Sequence, residues 1–169
     1  LGTVTLNEGI LDIEGGTLAE VTDQVAGGST SIDGGGQISG DYTQTDGSLT
    51  VGTTDAGSIG GTADINGGTA TVGADGTLGA TEIADGATLT TEGTVGAVTN
   101  DGTVDANGGT IASLVNQGTA TTTVDDTVVG ATDITGGSVT VGATGELGTT
   151  TVADGATLTT EGTVGAVTN

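Results

Sequence analysis

Residues 62–100 read TADINGGTATVGADGTLGATEIADGATLTTEGTVGAVTN, and residues 131–169 read ATDITGGSVTVGATGELGTTTVADGATLTTEGTVGAVTN. The two stretches lie 69 residues apart and agree at 29 of 39 positions, with no difference in the last 17. Self-similarity on this scale marks a solenoid, a propeller or an array, whose units bury their apolar faces only by stacking on one another.

The long unit divides further. Glycines that follow a polar residue or another glycine, and precede Ser, Thr, Ala or Ile, recur at Gly9, Gly28, Gly47, Gly68, Gly86, Gly102, Gly118, Gly137 and Gly155. The steps between them are 19, 19, 21, 18, 16, 16, 19 and 18 residues, and the four from Gly68 to Gly137 span one long repeat. A second turn signal follows inside most segments, at Gly16, Gly36, Gly76, Gly93, Gly109, Gly145 and Gly162. Each segment holds about three Val, Ile or Leu positions: Val72, Leu78 and Ile83 in one, Leu89, Val95 and Val98 in the next, Leu158, Val164 and Val167 in the last. Short apolar spacing, β-branched residues and Gly/Asp/Asn punctuation specify strands. The Gly, Thr and Val load disfavours helix by several tenths to about 1 kcal/mol per residue relative to Ala.

A propeller blade needs about 40–45 residues for its four strands. One segment here supplies only three short strands. The expected fold is therefore all-β: a parallel β-solenoid (β-helix) with triangular coils of about 16–21 residues, forming one repetitive segment over 1–169. Nine coils at about 4.8 Å per rung make a rod about 43 Å long. Asp-Gly, Asn-Gly and Gly-Gly pairs such as Asp85-Gly86 and Gly108-Gly109 turn the corners. A disordered Gly/Thr linker is the competing reading of so polar a chain, and the apolar spacing preserved from segment to segment argues against it.

Composition narrows the function. The 169 residues include no Lys, Arg, His, Pro, Cys, Met, Trp or Phe, a single tyrosine (Tyr42), 36 Gly, 39 Thr and 22 Asp plus Glu, giving a formal charge of −22. Absence of Pro suits uninterrupted strand ladders, and absence of Phe and Trp suits an interior expected to be too narrow for aromatic rings. Without a cation the chain cannot neutralise phosphates, so nucleic acid is excluded as a partner, and anionic membranes repel it. No apolar run approaches the roughly 18 residues of a membrane-spanning helix, so no membrane insertion of this segment is expected. Thiol, imidazole and Cys- or His-based metal chemistry are absent with their residues. Carboxylate pairs exist, but most acids sit beside Gly as turn formers, and Ser or Thr nucleophiles lack an activating His or Lys. No enzyme is expected.

Calcium is the one metal whose oxygen ligands the chain can supply. The candidate ligands are Asp125 with Asp126, and the loop carrying Asp41 and Asp46. Residues 34–41, GGGQISGD, match a calcium-binding nonapeptide only superficially, and no EF-hand loop is present. Flat Thr-x-Thr arrays on a β-solenoid face bind ice, and Thr-x-Thr occurs at 3–5, 43–45, 69–71, 88–90, 121–123, 149–151 and 157–159. Their uneven spacing reads as Thr used as a strand surface residue. One polar pair per coil at constant phase would mark a binding face, and scattered pairs a plain shaft. Stacked carboxylates about 4.8 Å apart repel by roughly 0.9 kcal/mol in water before screening, so the rod should gain stability in salt.

The phrases GAVTNDGTV (96–104), SLVNQGTAT (113–121), DIEGGTLAEV (12–21) and DINGGTATV (64–72) resemble the passenger repeats of bacterial autotransporters and related filamentous adhesins. The resemblance covers essentially the whole chain. It implies a right-handed β-helix, a cell-surface or extracellular location and a role as stalk, filament or adhesin shaft. A ligand-binding face for ice or a glycan is the alternative. Leu1 begins inside the repeat pattern and Asn169 ends at a segment boundary without a visible cap. The expectation is a segment of a longer chain, or copies that associate end to end or side by side. A host or surface ligand is left open.

Overall fold

The computed structural model describes residues 2–24 and 27–169, so Leu1 lies outside the described residues. The protein is an all-β parallel β-solenoid of about nine turns. The described residues form 26 strands of two to seven residues and no helix. Every described strand pairing is parallel and joins one coil to the next, as the stacked-coil reading requires.

Each coil has three faces. Face one contributes one strand per coil, from Ile10–Glu14 to Thr157–Thr160, to a nine-stranded sheet. The other two faces hydrogen-bond into a single 17-stranded sheet. The cause is the shallow corner between them. Strands Thr94–Asn100 and Thr110–Asn116 run through it, pairing Val95 with Ile111 on face two and Val98 with Leu114 on face three. With no turn to interrupt the backbone ladder, the sheet bends without breaking.

Coil length follows from the face-one strands, which begin at Ile10, Ser29, Ser48, Thr69, Thr88, Thr103, Thr121, Ser138 and Thr157. These starts give coils of 15–21 residues, slightly wider than the expected 16–21. Three coils begin one or two residues later than the glycine punctuation predicts. In them Gly86, Gly118 and Gly155 (φ +83°, +59° and +81°) sit inside the preceding turn. An alanine then closes that turn: Ala87 N–H donates to Ala84 O (3.0 Å), Ala120 to Gln117 O (3.0 Å) and Ala156 to Ala153 O (3.1 Å). Glycine marks the turn, and hydrogen bonding decides where the strand starts.

The core is richer than three positions per coil. Face one turns two side chains inward (Ala70 and Val72), face two one (Leu78), and face three two (Thr81 and Ile83). Val72, Leu78, Ile83, Leu89, Val95 and Val98 are all buried, as their spacing predicts. Each contributes about 1.5–3 kcal/mol of apolar burial. The expectation of an interior too narrow for aromatics fails at Tyr42, which is fully buried. Its neighbour in the next coil is the small Ala63, and its hydroxyl donates to Gln44 Oε1 at 3.2 Å. Burial of the neutral phenol pushes its pKa up to about 12.

Amides also enter the core. Asn100 and Asn116 stack as register partners on face three, and Asn100 Nδ2 donates to Asn116 Oδ1 at 3.1 Å. Asn100 Nδ2 also donates to Thr122 Oγ1 (2.9 Å), Thr122 Oγ1 to Asn116 Oδ1 (2.8 Å), and Asn116 Nδ2 to Gly136 O (2.8 Å). A satisfied polar network of this kind ties three coils into one register, because a slip would strand buried donors.

Candidate functional site

Side chains alternate across a strand, so the residues between the inward pairs of face one point outward. Register then sets what they form. From Ser48 to Thr157 every outward position of the first column is Ser or Thr, each the direct partner of the next coil's. The second column runs from Thr50 to Thr159 in the same way, broken only by Asp105. Thirteen of these fourteen positions, over seven consecutive rungs, carry a hydroxyl. All are exposed or half-exposed. Neighbouring rungs are about 4.8 Å apart, and the two columns about 6.6 Å apart.

This ladder corrects the reading of the Thr-x-Thr pairs as scattered. Pairs 69–71, 88–90, 121–123 and 157–159 all fall on face one at constant phase, with 48–50 on the rung before them and 103–105 and 138–140 on the rungs between. Two things hid the order. Corner turns of different length absorb the uneven sequence spacing, and Ser or Asp replaces one Thr in three of the rungs. The remaining pairs lie elsewhere. Thr3–Thr5 and Tyr42–Gln44 are face-three strands, and Thr150 of the pair 149–151 points into the core.

The acids segregate away from the ladder. On face three the outward column reads Asp64, Glu82, Thr99, Val115, Asp133 and Thr151. At the start of face one, Asp12, Glu14 and Asp33 border an open groove of about 590 Å³ with Asp55. Burial opposes the ionised form of Asp33. Its carboxylate nevertheless stays below the ordinary range because it accepts Thr54 N–H (3.0 Å), Asp55 N–H (3.3 Å) and the hydroxyls of Thr53 (3.2 Å) and Ser31 (3.4 Å). Its role is to close the turn of the following coil.

The calcium candidates separate in the structure. Asp41 Oδ1 accepts Thr62 N–H at 2.8 Å, and Asp46 Oδ1 accepts Gly47 N–H at 2.7 Å, so each works as a turn-forming side chain. Asp125 lies half-buried over Gly142, where any side chain would collide with its carboxylate. Asp126 turns inward and is 7 % exposed. Among the described residues no three carboxylates converge.

Asp126 occupies an unusual place. The residue that precedes the outward side chain of each face-two strand is Gly16, Gly36, Gly57, Gly76, Gly93, Gly109, Asp126, Gly145 and Gly162 in turn. The second turn signal marks seven of these; only Gly57 and Asp126 escape it. The glycines allow close approach: a Cβ on Gly57 would sit 2.0 Å from Ile32 O, and one on Gly145 2.0 Å from Val124 O. Asp126 puts a carboxylate into that column. Its Oδ1 accepts Thr127 N–H, while Oδ2 is buried without a partner. Burial pushes its pKa up. The signal was in the sequence: Glu92-Gly93-Thr94-Val95 and Glu161-Gly162-Thr163-Val164 share an acid followed two residues later by Thr-Val with Asp125-Asp126-Thr127-Val128, where Asp126 stands in place of the glycine.

Comparison of the chain with family models, with curated proteins and with solved structures finds no match in any of the three.

Proposed function

We propose that this chain is a shaft segment of an extracellular bacterial surface protein, of the autotransporter or filamentous-adhesin kind that its repeats resemble. The observation that carries this reading is the continuous core. Coil after coil buries the same inward positions, and backbone ladders join every coil to the next. Such an object transmits load along its axis and holds its ends a fixed distance apart. Its charge of −22 keeps shafts soluble and apart, and it offers no Lys or Arg to trypsin-like proteases.

Spin labels at Thr17→Cys and Thr163→Cys test this, since both residues are exposed and lie in one outward column of face two. The native chain has no cysteine to interfere. A narrow distance distribution near eight rung spacings, about 38 Å, is expected. A broad distribution would contradict a rigid shaft.

A second reading is favoured by the hydroxyl ladder: face one is a binding surface carried on that shaft. A plain shaft has no need to repeat a pair of outward hydroxyl positions at constant phase over seven rungs.

A further inference from the structure

We propose that the hydroxyl ladder of face one is an ice-binding surface, its ligand the surface of crystalline water. This rests on the second reading above and gives its ligand class. Three observations lead to it. The first is periodicity: seven rungs repeat in two directions, with no register shift in any pairing of this sheet from Ser48 to Thr157. A ligand that engages all rungs at once must be periodic in two dimensions itself.

The second is charge. In a chain carrying 22 acids and no cation, Asp105 is the one acid among the fourteen ladder positions. Carboxylates would hold a layer of hydrated counter-ions, which a neutral crystal face cannot accommodate. The strip, with a single acid in fourteen positions, therefore complements a neutral ligand.

The third is side-chain chemistry. Each Thr offers one donor, two acceptor lone pairs and a methyl group on a stiff χ1. Held in ranks by the backbone, such groups fix water molecules in an ordered layer at little further entropic cost. A crystalline polysaccharide is the competing periodic ligand. Binding a sugar's apolar face calls for aromatic platforms, and the one aromatic ring, Tyr42, is fully buried on another face. The ladder fits solid water better.

The experiment is ice partitioning and ice-recrystallisation inhibition by the purified 169-residue chain, with circular dichroism confirming the fold of each variant. The native chain should enter growing ice and restrain recrystallisation. Thr90→Tyr, in the middle of the ladder, should abolish both effects, and Thr77→Tyr on face two should leave them intact. Asp105→Thr, which completes the second column, should strengthen them. Thr71→Val serves if Thr90→Tyr unfolds, because it keeps the shape and removes only the hydroxyl; it should weaken both effects. Exclusion of the folded native chain from ice would overturn the proposal. So would equal losses from Thr77→Tyr and Thr90→Tyr, or retention by crystalline cellulose or chitin in place of ice. None of these failures would alter the spin-label distance, which tests the shaft separately.

Discussion

Residues 84–100 and 153–169 have the same 17-residue sequence and do not have the same structure. In the first copy Leu89, Val95 and Asn100 are fully buried, and Val98 nearly so. In the second, Leu158 and Val164 are only partly buried, Val167 is 53 % exposed, and Asn169 is exposed. The seven-residue strand Thr94–Asn100 becomes two short strands, Thr163–Val164 and Val167–Thr168. What differs is the neighbour. The first copy is covered by residues 103–116, which pair with it on all three faces. A coil of this solenoid is half a structure, and the other half is the next coil.

Substituting the two copies in parallel gives the largest expected contrast. Leu89→Ala leaves a cavity between two packed coils and should cost about 2–5 kcal/mol. Leu158→Ala, at a partly buried site, should cost well under half as much. Urea unfolding midpoints of the two variants measure the difference, and equal losses would show that the terminal coil is as well packed as the interior ones.

Alkaline unfolding reports on the interior alone. Tyr42 is the only side chain that titrates well above neutrality, because Lys, Cys, Arg and His are absent. Its pKa is near 12 in the fold and 10.0 in the free phenol. The unfolded chain therefore loses its proton first as pH rises, and stability should fall by about 2–3 kcal/mol across pH 10 to 12. Tyr42→Phe should abolish this loss while leaving hydrogen exchange in residues 153–169 unchanged.

A third contrast compares corners. Glu92-Gly93 and Glu161-Gly162 turn from face one to face two with a glycine, and Asp125-Asp126 does so with a buried carboxylate. Asp126→Gly should stabilise the fold by about 1–3 kcal/mol, the cost of an unsatisfied buried polar atom. The sign with pH also follows. Because the folded pKa of Asp126 is raised, its penalty is full above that pKa and is relieved as pH falls through it toward 3.8. Asp33 runs the other way: its folded pKa is lowered, so its contribution is present above 3.8 and lost as pH falls below that value. Acid titration of native protein, Asp126→Asn and Asp33→Asn should resolve the two opposed slopes.

The smallest effect is electrostatic. Asp64 and Glu82 stack on face three at one rung spacing, where repulsion is at most roughly 0.9 kcal/mol and vanishes in molar salt. Glu82→Thr should flatten part of the salt dependence of the unfolding midpoint. An unchanged slope would place the sensitivity elsewhere.

Much of this was legible in the residues. The repeat, the Gly punctuation and the spacing of Val72, Leu78 and Ile83 determine a parallel solenoid, because only stacked coils bury those rows. Seven of the nine corner positions at face two were readable from glycine alone: at six of them an added Cβ would meet backbone of the neighbouring coil, and Gly16 instead has a positive φ of +89°. The hydroxyl ladder was not readable. Its rungs start at Ser48, Thr69, Thr88 and Thr103, and the uneven steps become regular only when turns of different length take up the slack. Nor was the burial of Tyr42, which depends on Ala63 in the next coil, or the unpartnered oxygen of Asp126. Local pattern decides strand and turn because those preferences belong to single residues and short peptides. Which side chains share a rank, a cavity or a coat of solvent belongs to contacts between coils, and those exist only in the stacked structure.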